Sequence, residues 1–337
     1  MNLYQMTIEN LEKYFVNIGE KKFKATQVYE WLYQKREENI ANFSNIKKEI
    51  REKLEEDFTT DLPSIIKREK DVDVEKFLFL LRDGEKIEAV LMRHNYGLSI
   101  CVSSQVGCNM GCKFCESGRL KKVRNLSADE MVGQILAIEK EIKERISSVV
   151  IMGIGEPLDN YENVIDFIKI INHPKAIAIG ARHITLSTCG IIPKMKSLSE
   201  IPLQINLAIS LHASNNELRN KLMPINKAYP LPDLIEAIKE YIAKTNRRVT
   251  IEYILLKNVN DSTFHAHELA NLLRGLNVYV NLIPYNETNH IEFKKSEKKN
   301  IDLFYQTLKE EKINVTVRRE FGSKISAACG QLRSKEV

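Results

Sequence analysis

Cys101-Val-Ser-Ser-Gln-Val-Gly-Cys108-Asn-Met-Gly-Cys112-Lys-Phe-Cys115-Glu-Ser-Gly118 holds four of the six cysteines of a 337-residue chain. Three of them, Cys108, Cys112 and Cys115, stand as C-x-x-x-C-x-x-C. Thiolates are the soft ligands that iron–sulfur clusters take, and a four-iron cubane normally uses four. A fourth is absent at the matching spacing, and no downstream C-x-x-C or H-x-x-x-H completes a closed zinc site. Three thiolates on a cubane leave one iron open to a small ligand. Zinc binding and ordinary buried thiols are the alternatives that cysteine spacing leaves standing.

Outward from this stretch, from residue 98 on, short runs rich in Val and Ile alternate with helical patterns, the sequence form of β/α units on a parallel sheet. Strands are predicted near 98–105, 147–152, 183–188, 205–211, 249–256 and 278–284. Helices are predicted near 127–145, 161–172, 193–199, 231–245, 263–274 and 296–311. Ser127 with Glu130 forms a capping box, Asp261 or Ser262 can start the fifth helix, and Gly275 can close it. Six units are too few for a closed eight-stranded barrel. The expected fold class is therefore α/β, a partial open (βα)6 barrel with its site at the C-terminal ends of the strands.

The polar motifs fall where that rule puts them. The cysteine motif follows the first strand, Gly153-Ile-Gly155-Glu156-Pro157 the second, and Ser187-Thr188-Cys189-Gly190 the third. Ser210-Leu211-His212 follows the fourth strand and Pro284-Tyr285-Asn286 the sixth. Singly, each has a plainer reading as a tight turn, a core histidine or a helix cap. Together they describe one face, on which glycines admit a ligand to the backbone, Glu156 can accept from an ammonium group, and hydroxyls and amides can hold ribose and carboxylate.

The expected organisation is a helical accessory domain over 1–65, a β-hairpin extension over 66–96, the barrel over 97–312, and a strand with a cysteine loop over 313–337. Apolar spacing at Ile8, Leu11, Tyr14 and Phe15, then at Val28, Trp31 and Leu32, predicts two helices, with a third over 44–57. Lys76–Leu81 and Ile87–Met92 flank Asp83-Gly84, a hairpin signal. Lys21, Lys22, Lys24, Lys35 and Arg36 stand among aromatics, a mixture that suits an RNA backbone and equally suits a solvated face over an aromatic core. The basic run Arg119–Arg124 lies at the mouth of the site, where a phosphate backbone would be steered in. His265 and His267 read as surface or capping residues.

A net charge of +5 and a pI near 8.7 are compatible with a polyanionic partner without requiring one. No charge-free apolar run reaches membrane-spanning length, and the N-terminus lacks the pattern of a signal peptide. The expectation is a soluble, cytoplasmic protein with no membrane partner. Clustered rather than scattered cysteines suit a reducing compartment.

With Phe114 before its third cysteine, the motif resembles the signature of the radical S-adenosylmethionine enzymes. Cys101-Val-Ser-Ser-Gln-Val-Gly-Cys108, Arg124-Asn-Leu126, Gly155-Glu-Pro157, Ser210-Leu-His212, Met223-Pro-Ile-Asn226 and Ala327-Ala-Cys329-Gly-Gln-Leu332 extend the likeness from end to end. As a whole the chain resembles the RlmN/Cfr family, radical methyltransferases of adenosine in 23S ribosomal RNA. The resemblance implies a [4Fe-4S] cluster on Cys108, Cys112 and Cys115. It implies S-adenosylmethionine contacts at Gly155, Glu156, Ser187, Ser210, Leu211, His212 and Asn286. It further implies Cys329 as methyl carrier, Cys101 as the thiol that resolves a covalent RNA adduct through a disulfide bond, and Glu88 as proton acceptor.

This equipment suits the chemistry. Carbon 2 of adenine is electron-poor and does not attack a methyl sulfonium, so the family first loads the methyl on a cysteine and then activates it with a 5′-deoxyadenosyl radical. The expected activity is methylation of C2 of an adenosine in the peptidyl-transferase centre of 23S rRNA, with tRNA as a further candidate substrate. A flavodoxin or ferredoxin is the expected electron donor and a monomer the expected state. The rival is C8 methylation of the same adenosine, the Cfr type that confers antibiotic resistance, toward which Val315–Gly322 leans. A non-enzymatic RNA-binding protein with a structural metal is the remote alternative, and it leaves the strand-end motifs and Cys329 without a role. Two departures stand out: Glu116-Ser117-Gly118, where the family commonly has Ser or Ala, then Thr, then Gly, and Cys189, read as a compact packing residue.

Overall fold

The computed structural model describes residues 1–288, 290–319, 322 and 325–332. The N-terminal part is helical: α1 (Ile8–Asn17), α2 (Phe23–Tyr29) and α3 (Lys48–Asp57). Thr7 caps α1 by accepting from the Asn10 N–H. Beyond α2 a turn of π-helix, Glu30–Gln34, brings Trp31 flat onto Phe43, with the Lys35 ammonium over the indole. The third helix starts at Lys48 rather than 44, because residues 40–42 form a separate 3-10 turn. Lys24, expected in a solvated basic face, is buried and faces Glu20.

Strands β1 (Ser64–Lys70), β2 (Val74–Leu80), β3 (Lys86–His94) and β4 (Gly97–Val102) follow as an antiparallel meander. A small ribbon, β5 (Gln105–Val106) with β6 (Arg124–Asn125), encloses the cysteine loop. Then come α4 (Ala128–Ile142), β7 (Ile146–Ile151), α5 (Tyr161–Asn172), β8 (Ile184–Thr188), α6 (Ile192–Ser199) and β9 (Asn206–Ser210). The chain continues through α7 (Asn216–Leu222), α8 (Leu231–Thr245), β10 (Val249–Leu255), α9 (Thr263–Leu273), β11 (Val278–Pro284), α10 (Lys298–Glu310) and β12 (Val315–Val317). All six predicted strands and all six predicted helices of the barrel are present, within a few residues at each end. The capping box at Ser127 and Glu130 is formed, and Ser262 caps α9.

One sheet of ten strands runs β1-β2-β3-β4-β7-β8-β9-β10-β11-β12. From β4 onward the pairing is parallel, and β1 and β12 are its two edges, so the barrel stays open. The hairpin extension is continuous with the barrel sheet: Val90 of β3 pairs with Cys101 of β4. Helices cover the outer face, where Val149, Ile151, Leu186, Leu207 and Ile251 are fully buried or nearly so. At about 1.5–3 kcal/mol for each such side chain, this layer holds the sheet together. The N-terminal helices pack against α4 and α5: Tyr29 meets His173 edge-on at 5.2 Å, Lys140 pairs with Glu38, and Arg36 reaches the buried Glu139. Among the described residues no helix is long and apolar enough to cross a membrane.

Candidate active site

The C-terminal ends of the parallel strands surround a cavity lined by Cys101, Cys108, Cys112, Cys115 and Cys329 together with Gly155, Glu156, Ser187, Ser210 and His212. The cysteine loop is built on close approaches: a Cβ on Gly118 would lie 2.7 Å from the carbonyl oxygen of Cys112. Lys113 N–H donates to Leu222 O at 2.9 Å and so fastens the loop to α7. Phe114 and Met223 pack with Cys189 in an apolar cluster against which Met110, Cys112 and Cys115 lie. Among the described residues no three His, Cys, Asp or Glu side chains converge on a single ion. A cubane takes each thiolate on a different iron, so three thiols around one cavity, with apolar walls, fit a cluster as donor set and as environment.

Glu156 is held at three of its four lone-pair sites. Its Oε1 accepts from Thr188 Oγ1 at 2.6 Å and Leu158 N–H at 3.0 Å, and its Oε2 from Cys189 N–H at 2.8 Å. Burial pushes its carboxyl above the usual range, and these donors oppose the shift. The thiol of Cys189, a weak donor, faces the fourth, where a ligand's ammonium group could take its place. Gly155 lies at φ +110°, and a Cβ there would meet Gln105 at 2.7 Å, so the turn into Glu156 needs glycine. The Ser187 and Ser210 hydroxyls lie 3.4 Å apart on neighbouring β8 and β9.

His212 has φ +57°, in the left-handed region that a ring residue enters seldom. Its Nδ1 accepts from Ile254 N–H at 3.1 Å, and its ring meets Phe114 edge-on at 4.8 Å. Burial, with the Arg219 charge adding to it, pulls the imidazole down to about 3, so it is neutral. Leu211 does not line the cavity: its side chain is in the main core, its N–H donates to Glu252 O, and its carbonyl accepts from Arg219. Asn286 sits in a small adjoining pocket with Cys329, Met92 and Arg318. Glu88 is buried on β3, with its carboxylate 3.3 Å from Lys76 Nζ, and it does not line the cavity. It shares the strand face of Val90 and Met92, which do.

The carrier candidate arrives from the far end of the chain. Glu116 N–H donates to Gly330 O at 2.8 Å, and Ser117 Oγ donates to Leu332 O at 2.7 Å across 215 positions. Gln331 Nε2 donates to Glu287 O at 3.0 Å. All six cysteines are unbridged thiols. Burial pushes the Cys101 thiol up to about 12, and pushes Cys329 up as well, while the Arg318 guanidinium beside both pulls them down. Cys189 lines the cavity, and its thiol faces Glu156.

The basic run at the mouth is largely committed within the chain. Lys122 pairs with Asp159 at 2.6 Å, Arg124 with Asp83 and Glu130, and Arg119 donates to His290 O. Sequence reasoning missed Arg318, Arg219 and Glu252 as parts of the site. Arg318 does obey the strand-end pattern, directly after β12, whereas Glu252 lies in the middle of β10. Arg219 carries no such signal: it is fully buried on α7, donating to the carbonyls of Cys189, Leu211 and Ser210 and to Asn226 Oδ1. Glu320 and Phe321 of the Val315–Gly322 stretch lie outside the described residues.

Comparisons with known proteins agree with this geometry. Residues 102–269 match the radical SAM superfamily, and residues 1–59 the ribosomal RNA large subunit methyltransferase N-terminal domain. The chain is 52% identical over 338 residues to a probable dual-specificity RNA methyltransferase RlmN of Acholeplasma laidlawii, covering 100% of both chains. It is 53% identical over 331 residues to the protein of the same name from Spiroplasma citri, covering 97% of this chain and 95% of that one. A crystal structure of a radical SAM methyltransferase from Sphaerobacter thermophilus superposes with a TM-score of 0.93 at 39% identity, covering 99% of this chain and 100% of that one.

Proposed function

Because the chain belongs to the RlmN family of radical S-adenosylmethionine enzymes, we propose that it methylates carbon 2 of an adenosine in 23S ribosomal RNA, with tRNA as a second substrate. The observation that carries this reading is that Cys329 lines the same cavity as Cys108, Cys112 and Cys115. A merely structural thiol there has no need of a loop clamped to the cysteine motif, as this one is through Gly330 O and Leu332 O, whereas a methyl carrier must be held facing the cofactor.

Cys108, Cys112 and Cys115 would hold the [4Fe-4S] cluster. Gly155, Glu156, Ser187, Ser210 and His212 would hold S-adenosylmethionine, with Asn286 from the adjoining pocket, while Leu211, its backbone already paired, would set the place of Ser210 and His212. When bound, the two groups supply an electron, a methyl group and a hydrogen-abstracting 5′-deoxyadenosyl radical. Glu156 offers the ammonium group the lone pair that the weakly donating Cys189 thiol now faces, and the paired serine hydroxyls suit the ribose. Cys329 attacks as thiolate and keeps the methyl as a thioether. Arg318 stabilises that thiolate against the cost of burial. After the carbon has joined the base, the odd-electron adduct would give one electron back to the cluster and its ring proton to Glu88. The Cys101 thiolate then attacks the Cys329 sulfur, forming a transient disulfide while the S–C electron pair leaves with the carbon, which takes up a proton to become the methyl group. The electron would come from a small donor such as flavodoxin or ferredoxin, and the enzyme would work as a cytoplasmic monomer.

The test is Cys329→Ala. The variant should reconstitute about four irons and four sulfides and bind S-adenosylmethionine, yet methylate no RNA. Peptide mass spectrometry of the wild type should find a methyl increment on the Cys329 peptide. Methylation by the variant overturns the carrier role, and a product methylated on C8 replaces the C2 reading by its rival.

A further inference from the structure

A second cleft, of 520 Å³, opens between the turn joining β3 to β4, at the N-terminal end of β4, and the end of β12. Met92 and Arg318 line both this cleft and the cavity of Cys329, so these two side chains stand between them. Its lining sets the polar side chains of Ser99, Asn281 and Thr316 beside Met92, Val150 and Val317. At its rim the rings of His94 and Tyr96 lie parallel, with centroids 4.7 Å apart and planes within 6°. Tyr96 is 76% exposed, so its outer face is bare. Burial, reinforced by Arg318 and Arg319, lowers His94 below its ordinary value and keeps its ring neutral. Arg319 stands on the opposite wall, its side chain 75% exposed and paired with Asp73 at 3.2 Å. Such an exposed pair is worth at most about 1 kcal/mol, so a phosphate can take its place.

We propose that this cleft binds the nucleotide next to the target adenosine, its base stacked on Tyr96 over His94 and its phosphate on Arg319, so that the target base passes Met92 and Arg318 to reach Cys329. The proposal rests on RNA being the substrate. A flat aromatic pair with one bare face offers what any nucleobase can use, and an exposed arginine beside it offers the backbone charge contact. A protein partner would use the pair as an edge-on anchor with no need of the arginines or of a place beside the cavity of Cys329. The site is thus one that sets how an RNA strand is threaded, and it selects single-stranded RNA because a base inside a helix has both faces stacked on its neighbours.

The probe is a fluorescently labelled RNA hairpin with an unpaired adenosine in its loop and 2-aminopurine beside it. Binding to the wild-type holoenzyme should quench the 2-aminopurine. Tyr96→Ala should weaken binding about tenfold, the loss of one stacked base, restore the emission, and leave the salt dependence of binding unchanged. Tyr96→Phe should restore both affinity and quenching. Arg319→Ala should instead lower the slope of log affinity against log salt by about one. Affinity within twofold of wild type for Tyr96→Ala, with the quench retained, overturns the stacking site and leaves the methyltransferase reading intact. A wild-type enzyme that neither binds nor methylates RNA overturns both.

Discussion

The N–H of Glu116, the residue after the last cysteine of the motif, donates to the carbonyl of Gly330, the residue after Cys329. Cluster loop and carrier loop are thus joined backbone to backbone at adjacent positions. Backbone identity cannot be mutated, but the second tie can: the Ser117 hydroxyl is buried, and Leu332 O depends on it. Leaving that carbonyl unpaired costs about 1–3 kcal/mol. Ser117→Ala should therefore raise local opening of residues 325–332, seen as roughly tenfold faster amide exchange there, with the cluster retained. Unchanged exchange would show that Glu116 and Gln331 suffice.

Cys101 and Cys329 share the Arg318 guanidinium, and both are held mainly as thiols. Alkylation needs thiolate, so between pH 7 and 9 the rate at both should climb about tenfold per pH unit without levelling. Arg318→Met removes a cation that lowers Cys329, so its alkylation should slow further at every pH. Mass spectrometry of the labelled peptides checks both. A faster reaction in the variant would mean that Arg318 shields the thiol instead of activating it.

Release of the product should fail before attachment does. Cys101 sits on β4 opposite Val90, two residues along β3 from Glu88. Cys101→Ala and Glu88→Ala should each accumulate a covalent complex with RNA that survives denaturing gels and disappears on nuclease treatment. Ordinary turnover by Cys101→Ala would assign release to another thiol or another step.

Arg219 is 0% exposed and is satisfied by carbonyls and Asn226 rather than by a carboxylate. Arg219→Met strands those acceptors together and should cost about 3 kcal/mol or more, read as a lower urea midpoint. A loss under about 1 kcal/mol would mean that water enters and takes over the network.

The sequence announced the barrel because its six inner strands are Val- and Ile-rich and its polar motifs sit at their ends. β1 was not legible: Ser-Ile-Ile-Lys-Arg-Glu-Lys is a charged edge strand, mostly exposed, with little apolar alternation to read. α7 is seven residues long and mostly polar, below what periodicity can resolve. Glu156 was read as a ligand's acceptor, but most of its capacity serves Thr188, Cys189 and Leu158. Such sharing is set by partners more than thirty positions away for Thr188 and Cys189, which local pattern does not encode. The same holds for Arg219 and Arg318, whose importance lies in burial and neighbours, not in residue type.

The order of strands in the large sheet is, apart from the small ribbon, the order of the chain. A polypeptide growing from its N-terminus can therefore add each strand to the one before it, without holding an edge open for a distant partner. The last piece to dock is the segment that bears Cys329, which closes onto a cysteine loop already framed by its barrel. Assembly thus leaves Cys108, Cys112 and Cys115, the proposed cluster ligands, accessible to whatever delivers iron and sulfide until the Cys329 segment docks. Loading can precede sealing, and the thiol that must not be consumed as a ligand arrives afterwards.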